Sequence, residues 1–373
     1  MTLIAIGAER LRLPAEVMLV VFGAIVGTVA HIRPPFAFGP TLFFVFLPPL
    51  VFEAAWNIDL RALQRIVPRV ALLAVPGTLV SAVCVAAIVS SVGALPFAPA
   101  LLLGAIVSAT DPVAVVTMFR NAAVPAGVKT LVEAESLAND GVAVVLYSIA
   151  LTFAQGATFA LAPAIAHGVA AVLLGIAVGV VCATLLWWLL RSASAAEHEV
   201  TATIALAYIA YLVADRLQLS GIFATAASAI ALRALLQRSP HMDNRDDVDR
   251  FWTSIAFLAN ATIFLATGLL IDLPRALHEP VLVVAAIVGI VLARAFLAFV
   301  VARENRARIT IFLAGMRGAL PLALALALPD TLAYRSEIVD GVFAVVLATL
   351  VLQGAPLAPI LARFYGAPTP TPR

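Results

Sequence analysis

Two long apolar stretches in the first half of the chain contain polar and acidic side chains far from their ends. The first holds Thr110 and Asp111, and the second holds Glu135, Asn139 and Asp140. A charged side chain in the middle of a lipid-spanning helix costs about 2.5–3.5 kcal/mol on insertion scales, so it marks a functional position by default. These residues are the candidate functional site, and the other apolar stretches are the elements that must position them.

The composition indicates a membrane protein built from helices. Hydrophobic residues make up 63% of the 373 residues and charged residues only 12%, whereas soluble domains carry about 25% charged residues. The mean hydropathy is +1.07. Apolar runs of about 20 residues predict about twelve transmembrane helices. The predicted spans are 14–32, 38–58, 69–91, 97–119, 128–154, 161–190, 199–215, 219–237, 251–272, 280–302, 308–329 and 338–362.

The distribution of basic residues predicts the orientation of these spans. If the N-terminus and every second loop after it lie on one side, that side receives most of the 23 Lys and Arg residues. The positive-inside rule then places both termini in the cytoplasm. The net charge of +2 gives no indication of a nucleic-acid partner.

Two of the predicted spans are interrupted by their own sequence. In the fourth span, Pro112 cannot donate to the carbonyl of Ser108 and disfavours helical geometry at Asp111. We expect Asp111 to cap a second half-helix that begins at Pro112. The eleventh span has a similar interruption at residues 315–321, GMRGALP. Interrupted helices in corresponding positions of two halves, here of opposite direction, are typical of the site of a transporter with inverted repeats.

Oxygen donors dominate the candidate site. Asp140, Asp111, Ser136 and Thr110, with Glu53 as a further candidate, offer the ligands that a hard cation such as Na⁺ prefers. Simpler interpretations stay open from the residues alone. The carboxylates at positions 111 and 140 are also compatible with a helix cap and a structural ion pair, the hydroxyl at 136 with helix packing, and the acid at 53 with a solvated position near the interface.

The fifth predicted span places Glu135 one turn below Asn139 on the same helix face, because residues four apart are neighbours. Arg317 is the most central cation, and we expect it to pair with Glu135 so that each offsets the desolvation of the other. The alternative for Arg317 is a side chain that extends to the membrane surface. For Arg294, which precedes Arg303 by nine residues, extension to the surface is the expected outcome.

Four segments carry a resemblance to a known family. SATDPVAV, ESLANDGVAVVLY, LPPLVFEAAW and GMRGALPLALALALP resemble, in order and spacing, the motifs of monovalent cation/proton antiporters of the NhaP/NHE type. The resemblance runs from about residue 13 to residue 363. The joint match of the TDP and ESLxND motifs is specific, whereas either one alone is not.

The resemblance implies roles for individual residues. Asp140 is expected to bind either Na⁺ or H⁺, and Asn139 is the paired amide that marks the electroneutral branch of the family. The carbonyl of Thr110, with Asp111, Ser136 and Glu53, is expected to complete the ion site directly or through water. Glu135 and Arg317 are expected to form a structural pair.

The resemblance also implies an overall organisation. The family commonly has thirteen spans, and here the first helix is expected to be missing. A single membrane transport domain, 1–373, would then comprise a first repeat at 13–154, a linker helix at 161–190, a second repeat at 199–363 and a disordered tail at 364–373. Members dimerise through N-terminal helices, so homodimerisation is left open.

The sequence therefore predicts a secondary antiporter of the cell membrane, not an enzyme, which exchanges Na⁺ (or Li⁺ or K⁺) for H⁺ one for one in pH and sodium homeostasis. Its partners would be these ions and membrane lipid, and no cofactor is expected. A cation-coupled solute transporter remains the alternative, although it needs a larger polar or aromatic pocket. An intramembrane enzyme would need a nucleophile–base pair or metal ligands.

Overall fold

The structure is a computed structural model, and the residues that it describes are organised as helices. These residues are 15–30, 40–111, 115, 119, 122–156, 161–190, 196–237, 245–270 and 279–366. The helices are α1 (Ala15–Ala30), α2 (Pro40–Trp56), α3 (Leu60–Ser91), α4 (Phe97–Ser108), α5 (Ala126–Ala154), α6 (Leu161–Leu190), α7 (Ala196–Arg216), α8 (Gly221–Leu236), α9 (Arg245–Leu270), α10 (Pro280–Val301), α11 (Asn305–Leu313), α12 (Ala319–Leu326), α13 (Arg335–Thr349), a π-helical turn (Leu350–Gly354) and α14 (Ala355–Tyr365).

The helical fold and its membrane-spanning character are confirmed. Every predicted span overlaps at least one helix of the described residues. Within the described part of the chain, six helical segments are long and apolar enough to cross a membrane: Leu60–Ser91, Ala126–Ala154, Ala162–Leu189, Asp246–Leu269, Pro280–Val301 and Arg335–Tyr365. Large apolar side chains project from several of these helices, for example Leu173 and Phe299, which are 61% and 64% exposed. Such surfaces are stable in lipid, and the protein is a multi-pass membrane protein.

The two interruptions lie close to their predicted positions. Helix α4 ends at Ser108, and Ala109 is extended, with φ −62° and ψ 141°. Helix α11 ends at Leu313 and α12 begins at Ala319, so the segment between them is not helical. Of the half-helix expected from Pro112 onward, only Val115 and Phe119 are among the described residues, and both are helical.

The helices group into two compact units, each of which takes segments from both halves of the chain. The first unit comprises 1–39, 65–158 and 261–373, and the second comprises 40–64 and 159–260. The candidate site around Asp140 belongs to the first unit. There, α4 packs against α5, α12 and α13, and α5 also contacts α11 and α12.

Glycines allow close helix approaches within each unit. In the first unit, a Cβ atom added at Gly23 of α1 would lie 2.4 Å from the carbonyl oxygen of Leu265 in α9. In the second, one added at Gly179 of α6 would lie 2.0 Å from the carbonyl oxygen of Ala224 in α8. Small residues at these positions therefore bring the helix backbones into direct contact.

The end of the last helix differs from the expected tail boundary at residue 364. Helix α14 continues to Tyr365, and the Gly366 carbonyl accepts a hydrogen bond from the Ala123 N–H at 3.2 Å. The side chain of Arg306 donates to the Phe364 carbonyl at 3.1 Å. Residues 364–366 are therefore part of the packed structure, and the rest of the expected tail, 367–373, lies outside the described residues.

Candidate functional site

The two interrupted spans meet at their non-helical segments. The backbone N–H of Asp111, three residues beyond the end of α4, donates to the carbonyl of Met316 at 2.9 Å. Asp111 is 7% exposed and Met316 is fully buried. A broken helix leaves backbone groups without intrahelical partners, and in lipid these must be satisfied by protein. Part of that requirement is met here by pairing one break with the other.

Arg317 satisfies carbonyl groups at the end of α4. Its Nη1 donates to the carbonyls of Ser108 at 3.1 Å and Ala109 at 3.3 Å, and the residue is 1% exposed. A cation is favoured at a helix C-terminus because the unsatisfied carbonyls there carry partial negative charge. Arg317 is thus central and buried, as expected, but its side chain donates to backbone carbonyls of the other interrupted span.

The expected pairing of Glu135 with Arg317 is wrong, because Glu135 pairs with Arg294. Nη1 and Nη2 of Arg294 donate to Oε1 and Oε2 of Glu135, each at 2.9 Å. Nε of Arg294 donates to the carbonyl of Ile311 at 3.0 Å, near the end of α11. The expectation that Arg294 extends to the surface is also wrong, since it is 3% exposed.

The sequence contained an indication that Arg294 is buried, although its short separation from Arg303 favoured extension to the surface. Arg294 is the only Lys, Arg, Asp or Glu in Pro280–Val301. A single charge deep in an apolar span indicates a buried partner.

Arg294 and Arg317 have parallel roles. Arg294 donates to a carbonyl near the end of α11, and Arg317 donates to carbonyls at the end of α4.

Asn139 connects the first break to helix α5. Its Nδ2 donates to Oγ1 of Thr110 at 2.7 Å and to Oε1 of Glu135 at 2.8 Å, while its Oδ1 accepts from the Thr110 N–H at 3.3 Å. The expected neighbourhood of Glu135 and Asn139 on one helix face is confirmed. Because Nδ2 donates to two acceptors, one of them a carboxylate, an amide matches this position and an ionised acid does not.

Ser136 also contacts Thr110. Its Oγ donates to the Thr110 carbonyl at 2.5 Å and accepts from the Thr110 hydroxyl at 3.1 Å. The structure thus brings together Thr110, Ser136 and Asn139, as the sequence predicted. The Thr110 carbonyl, expected as an ion ligand, is engaged by Ser136 in this conformation.

Asp140 follows Asn139 on α5 and differs from it in its bonding. Its Oδ1 is buried and makes no hydrogen bond within the described part of the chain. The charges of Asp111 and Glu135 act on this carboxylate, as does the opposite charge of Arg317. A buried carboxylate oxygen without an internal donor is available to a proton or to a cation.

Asp111 lies against the start of the second half-helix of the other span. A Cβ atom added at Gly318, the residue before α12, would fall 2.0 Å from Oδ2 of Asp111 and 2.3 Å from its Cβ. The carboxylate therefore sits at a helix N-terminus, where a negative charge is favoured. The sequence predicted a different cap for Asp111, by the half-helix from Pro112, the start of which lies outside the described residues.

We expect Gly318→Ala to destabilise the site. The new methyl group would overlap the body of the Asp111 side chain and not only its tip, so the two breaks must move apart. Overpacking of this kind costs about 1–3 kcal/mol. We expect a lower melting temperature in detergent together with reduced cation-driven proton flux in liposomes.

The matched control for this change is Gly127→Ala, in the first turn of α5, where an added Cβ meets nothing within 4 Å. Alanine is the better helix former, so the control should be as stable as the parent or slightly more stable. Equal melting temperatures for the two variants would show that Asp111 does not pack against Gly318.

Glu53 belongs to the second compact unit, where its Oε1 accepts a hydrogen bond from Asn57 Nδ2 at 2.8 Å. In the same unit, Trp56 Nε1 donates to Oδ1 of Asp249 at 2.6 Å. The participation of Glu53 in an ion site remains a prediction.

Comparison with known proteins identifies the family. The sequence profile described as "Sodium/hydrogen exchanger, transmembrane" matches residues 1–363. The chain belongs to the sodium/hydrogen exchanger family. It is a transporter-family protein and not an enzyme.

Relatives of this exchanger-family chain include two Na(+)/H(+) antiporters. It is 32% identical over 329 residues to the Na(+)/H(+) antiporter ApNhaP of Aphanothece halophytica, covering 85% of this chain and 63% of that protein. It is 34% identical over 326 residues to the low-affinity Na(+)/H(+) antiporter NhaS1 of Synechocystis, covering 83% and 62%. The chain thus spans about three fifths of the length of these two relatives.

The fold is similar to that of a protein of solved structure. The sodium proton antiporter MjNhaP1 of Methanocaldococcus jannaschii, in a structure at pH 8, superposes with a TM-score of 0.78 at 22% sequence identity, over 95% of both chains. This exchanger-family chain therefore has a NhaP1-like fold.

Proposed function

We propose that this chain exchanges Na⁺, or Li⁺ or K⁺, for H⁺ across the membrane. The observation that carries the proposal is the buried Oδ1 atom of Asp140 beside two interrupted, mutually hydrogen-bonded spans. Non-helical backbone is tolerated at membrane depth only where it lines a site or is buried in protein. Such breaks therefore indicate the substrate site of a membrane transporter.

In this mechanism, Asp140 carries either one cation or one proton. The cation and the proton compete for the same carboxylate. The protein therefore changes between its inward-open and outward-open states with either the cation or the proton bound. Asp111, Thr110, Ser136 and Glu53 would supply further oxygen ligands when Na⁺ is bound. Ser136 donates to the Thr110 carbonyl in the described conformation, and the second lone pair of that oxygen remains able to coordinate a cation.

The proposed architecture is a pair of inverted repeats, each with one interrupted crossing helix. It is supported by the parallel roles of Arg317 at the end of α4 and Arg294 at the end of α11. The same proposal places the protein in the cell membrane with both termini in the cytoplasm, and it needs no cofactor. A homodimer in lipid is part of the proposal as an assembly of two such chains.

The exchange is expected to be electroneutral. The Asn139 amide carries no charge and is held by Thr110 and Glu135, and Glu135 is held by Arg294. Asp111 lies beside the N-terminus of α12, where the helix dipole stabilises a negative charge. Asp140 is then the one exchangeable site, so one proton moves against one monovalent cation and no net charge crosses.

The experiment measures Na⁺-driven proton movement in proteoliposomes whose membrane potential is clamped with K⁺ and valinomycin. We expect proton movement that depends on the Na⁺ gradient and has the same rate and end point at all imposed voltages. Liposomes without protein serve as the control. A rate that changes with voltage would contradict the one-for-one assignment, and the absence of cation-driven proton movement would contradict the exchange function.

A further inference from the structure

A π-helical turn interrupts the helix that packs beside the second break. Helix α13 ends at Thr349, the π-turn occupies Leu350–Gly354, and α14 follows. Within it, Gln353 is 4% exposed, and Thr349 just before it is 2% exposed. Single π-helical turns inside α-helices are rare and are found frequently at functional sites.

Two side chains of this region contact the two ends of the non-helical segment between α11 and α12. Oγ1 of Thr349 accepts a hydrogen bond from the Arg317 N–H at 3.3 Å. Nε2 of Gln353 donates to the carbonyl of Phe312 at 3.4 Å. Phe312 lies in the last turn of α11 and Arg317 just before α12, so the segment is held at its beginning and at its end.

The Thr349 contact supplies a partner that the helix itself no longer provides, and the Gln353 contact adds a second donor to a helix-end carbonyl. A break leaves N–H and C=O groups without intrahelical partners, and in a water-poor interior each unsatisfied group is costly. The N–H of Arg317 is one such group, while the carbonyl of Phe312 accepts the Gln353 amide in addition to the Gly315 N–H at 3.3 Å. Thr349 and Gln353 are four positions apart, so both side chains face the break.

Packing alone does not account for a glutamine at position 353. Its Oε1 is buried and has no hydrogen-bond partner among the described residues. A buried polar atom in that state is destabilising, and a methionine would fill a similar volume without it. The amide is therefore explained by the donor that it directs at Phe312.

We infer that Thr349 and Gln353 are positioning residues for the ion site of the exchange activity proposed above. They hold the non-helical segment 314–318 in register. Through that segment they keep the Arg317 guanidinium on the carbonyls that end α4 and the Met316 carbonyl on the Asp111 N–H. Neither side chain needs to touch the transported cation for this role.

The test compares variants that remove or keep the hydrogen-bonding group. Thr349→Val removes the hydroxyl at nearly constant volume, Thr349→Ser keeps it, and Gln353→Met removes the amide. Thr78→Val is the matched control, because the buried Thr78 hydroxyl donates to the carbonyl of Ala74 in its own helix at 2.5 Å. All are measured as full-length protein in proteoliposomes.

We expect Thr349→Val and Gln353→Met each to raise the apparent KM for Na⁺ on the order of fivefold, the ratio that the loss of one hydrogen bond produces. Thr349→Ser should restore the parent value, and Thr78→Val should leave it unchanged. An unchanged KM in both Thr349→Val and Gln353→Met would overturn the inference, as would an equal increase in Thr78→Val.

Hydrogen exchange tests the same inference without transport. In Thr349→Val, amide exchange within 314–318 should become faster because the Arg317 N–H has lost its acceptor, while Thr78→Val should match the parent. Unchanged exchange there would overturn the inference even if transport were lost. Conversely, faster exchange in a chain without cation-driven proton flux would support the structural role and contradict only the proposed function.

Discussion

Replacing Asp140 by asparagine is expected to reduce Na⁺-driven proton movement to the background of protein-free liposomes while the protein stays folded. The substitution is nearly isosteric, so it creates neither a cavity nor an overlap. It removes the one group that we propose to carry both ions, since an amide neither binds an exchangeable proton at neutral pH nor offers a negative charge to Na⁺. The variant would then have no ion-bound form in which to change between its inward-open and outward-open states.

The stability of this variant separates the mechanism from simple misfolding. Oδ1 of Asp140 has no internal hydrogen-bond donor within the described residues, so the amide replaces no internal hydrogen bond at that atom. Its melting temperature in detergent should therefore equal or exceed that of the parent. Wild-type exchange rates in the folded variant would exclude Asp140 as the shared site.

Asp215→Asn is the matched control for the loss of a carboxylate. Asp215 lies near the end of α7 and is exposed to the surroundings. The same chemical change at this position should leave the exchange rate unaltered. A similar loss of activity in both variants would point to a general electrostatic effect on the protein and away from a specific ion site.

Breaking the Glu135–Arg294 pair is expected to cause the largest loss of stability. The two side chains make two hydrogen bonds of 2.9 Å and are 2% and 3% exposed. Removal of one partner leaves the other charge buried, which costs about 3–5 kcal/mol. Glu135→Gln or Arg294→Met should therefore lower the melting temperature strongly and reduce the yield of folded protein.

The double variant tests whether the two residues act as a pair. Once one charge is gone, removing the other relieves an unpaired charge, so Glu135→Gln with Arg294→Met should cost less than the sum of the single changes. Additive losses would contradict the pairing. Part of the cost will remain, because Arg294 also caps Ile311 and Glu135 also accepts from Asn139.

A second cycle distinguishes this pair from the one that the sequence suggested. Arg317 donates to the carbonyls of Ser108 and Ala109, whereas the donors to the Glu135 carboxylate are Asn139 and Arg294. Glu135→Gln combined with Arg317→Met should therefore show a smaller coupling than the cycle with Arg294. A larger coupling to Arg317 would favour the original expectation.

Much of the architecture could be predicted from the sequence because lipid imposes simple rules. A membrane span must be apolar over about 20 residues and must satisfy its own backbone, so composition locates the helices. The ends of α4 and α11 could also be predicted, since proline and glycine act on the backbone within a few residues. The contact between Glu135 and Asn139 follows from the helical period alone.

The closeness of Thr110, Ser136 and Asn139 was predictable for a related reason. Both spans carried polar groups at membrane depth, and buried polar groups must find partners. Their detailed bonding was not predictable. The sequence does not indicate that the Asn139 amide donates twice, or that Ser136 engages the Thr110 carbonyl, because those choices depend on how α4 and α5 are placed against each other.

Only the tertiary structure decided which arginine serves which partner. Arg294 and Arg317 both lie in apolar spans far from Glu135 in sequence, and local periodicity carries no information on which span packs beside α5 at that depth. The fold brings Arg294 to Glu135 and leaves Arg317 at the open end of α4. The physical reason is that a charge in lipid must be neutralised by a nearby group. The packing of distant helices decides which groups lie within reach, so the pairing depends on the whole fold.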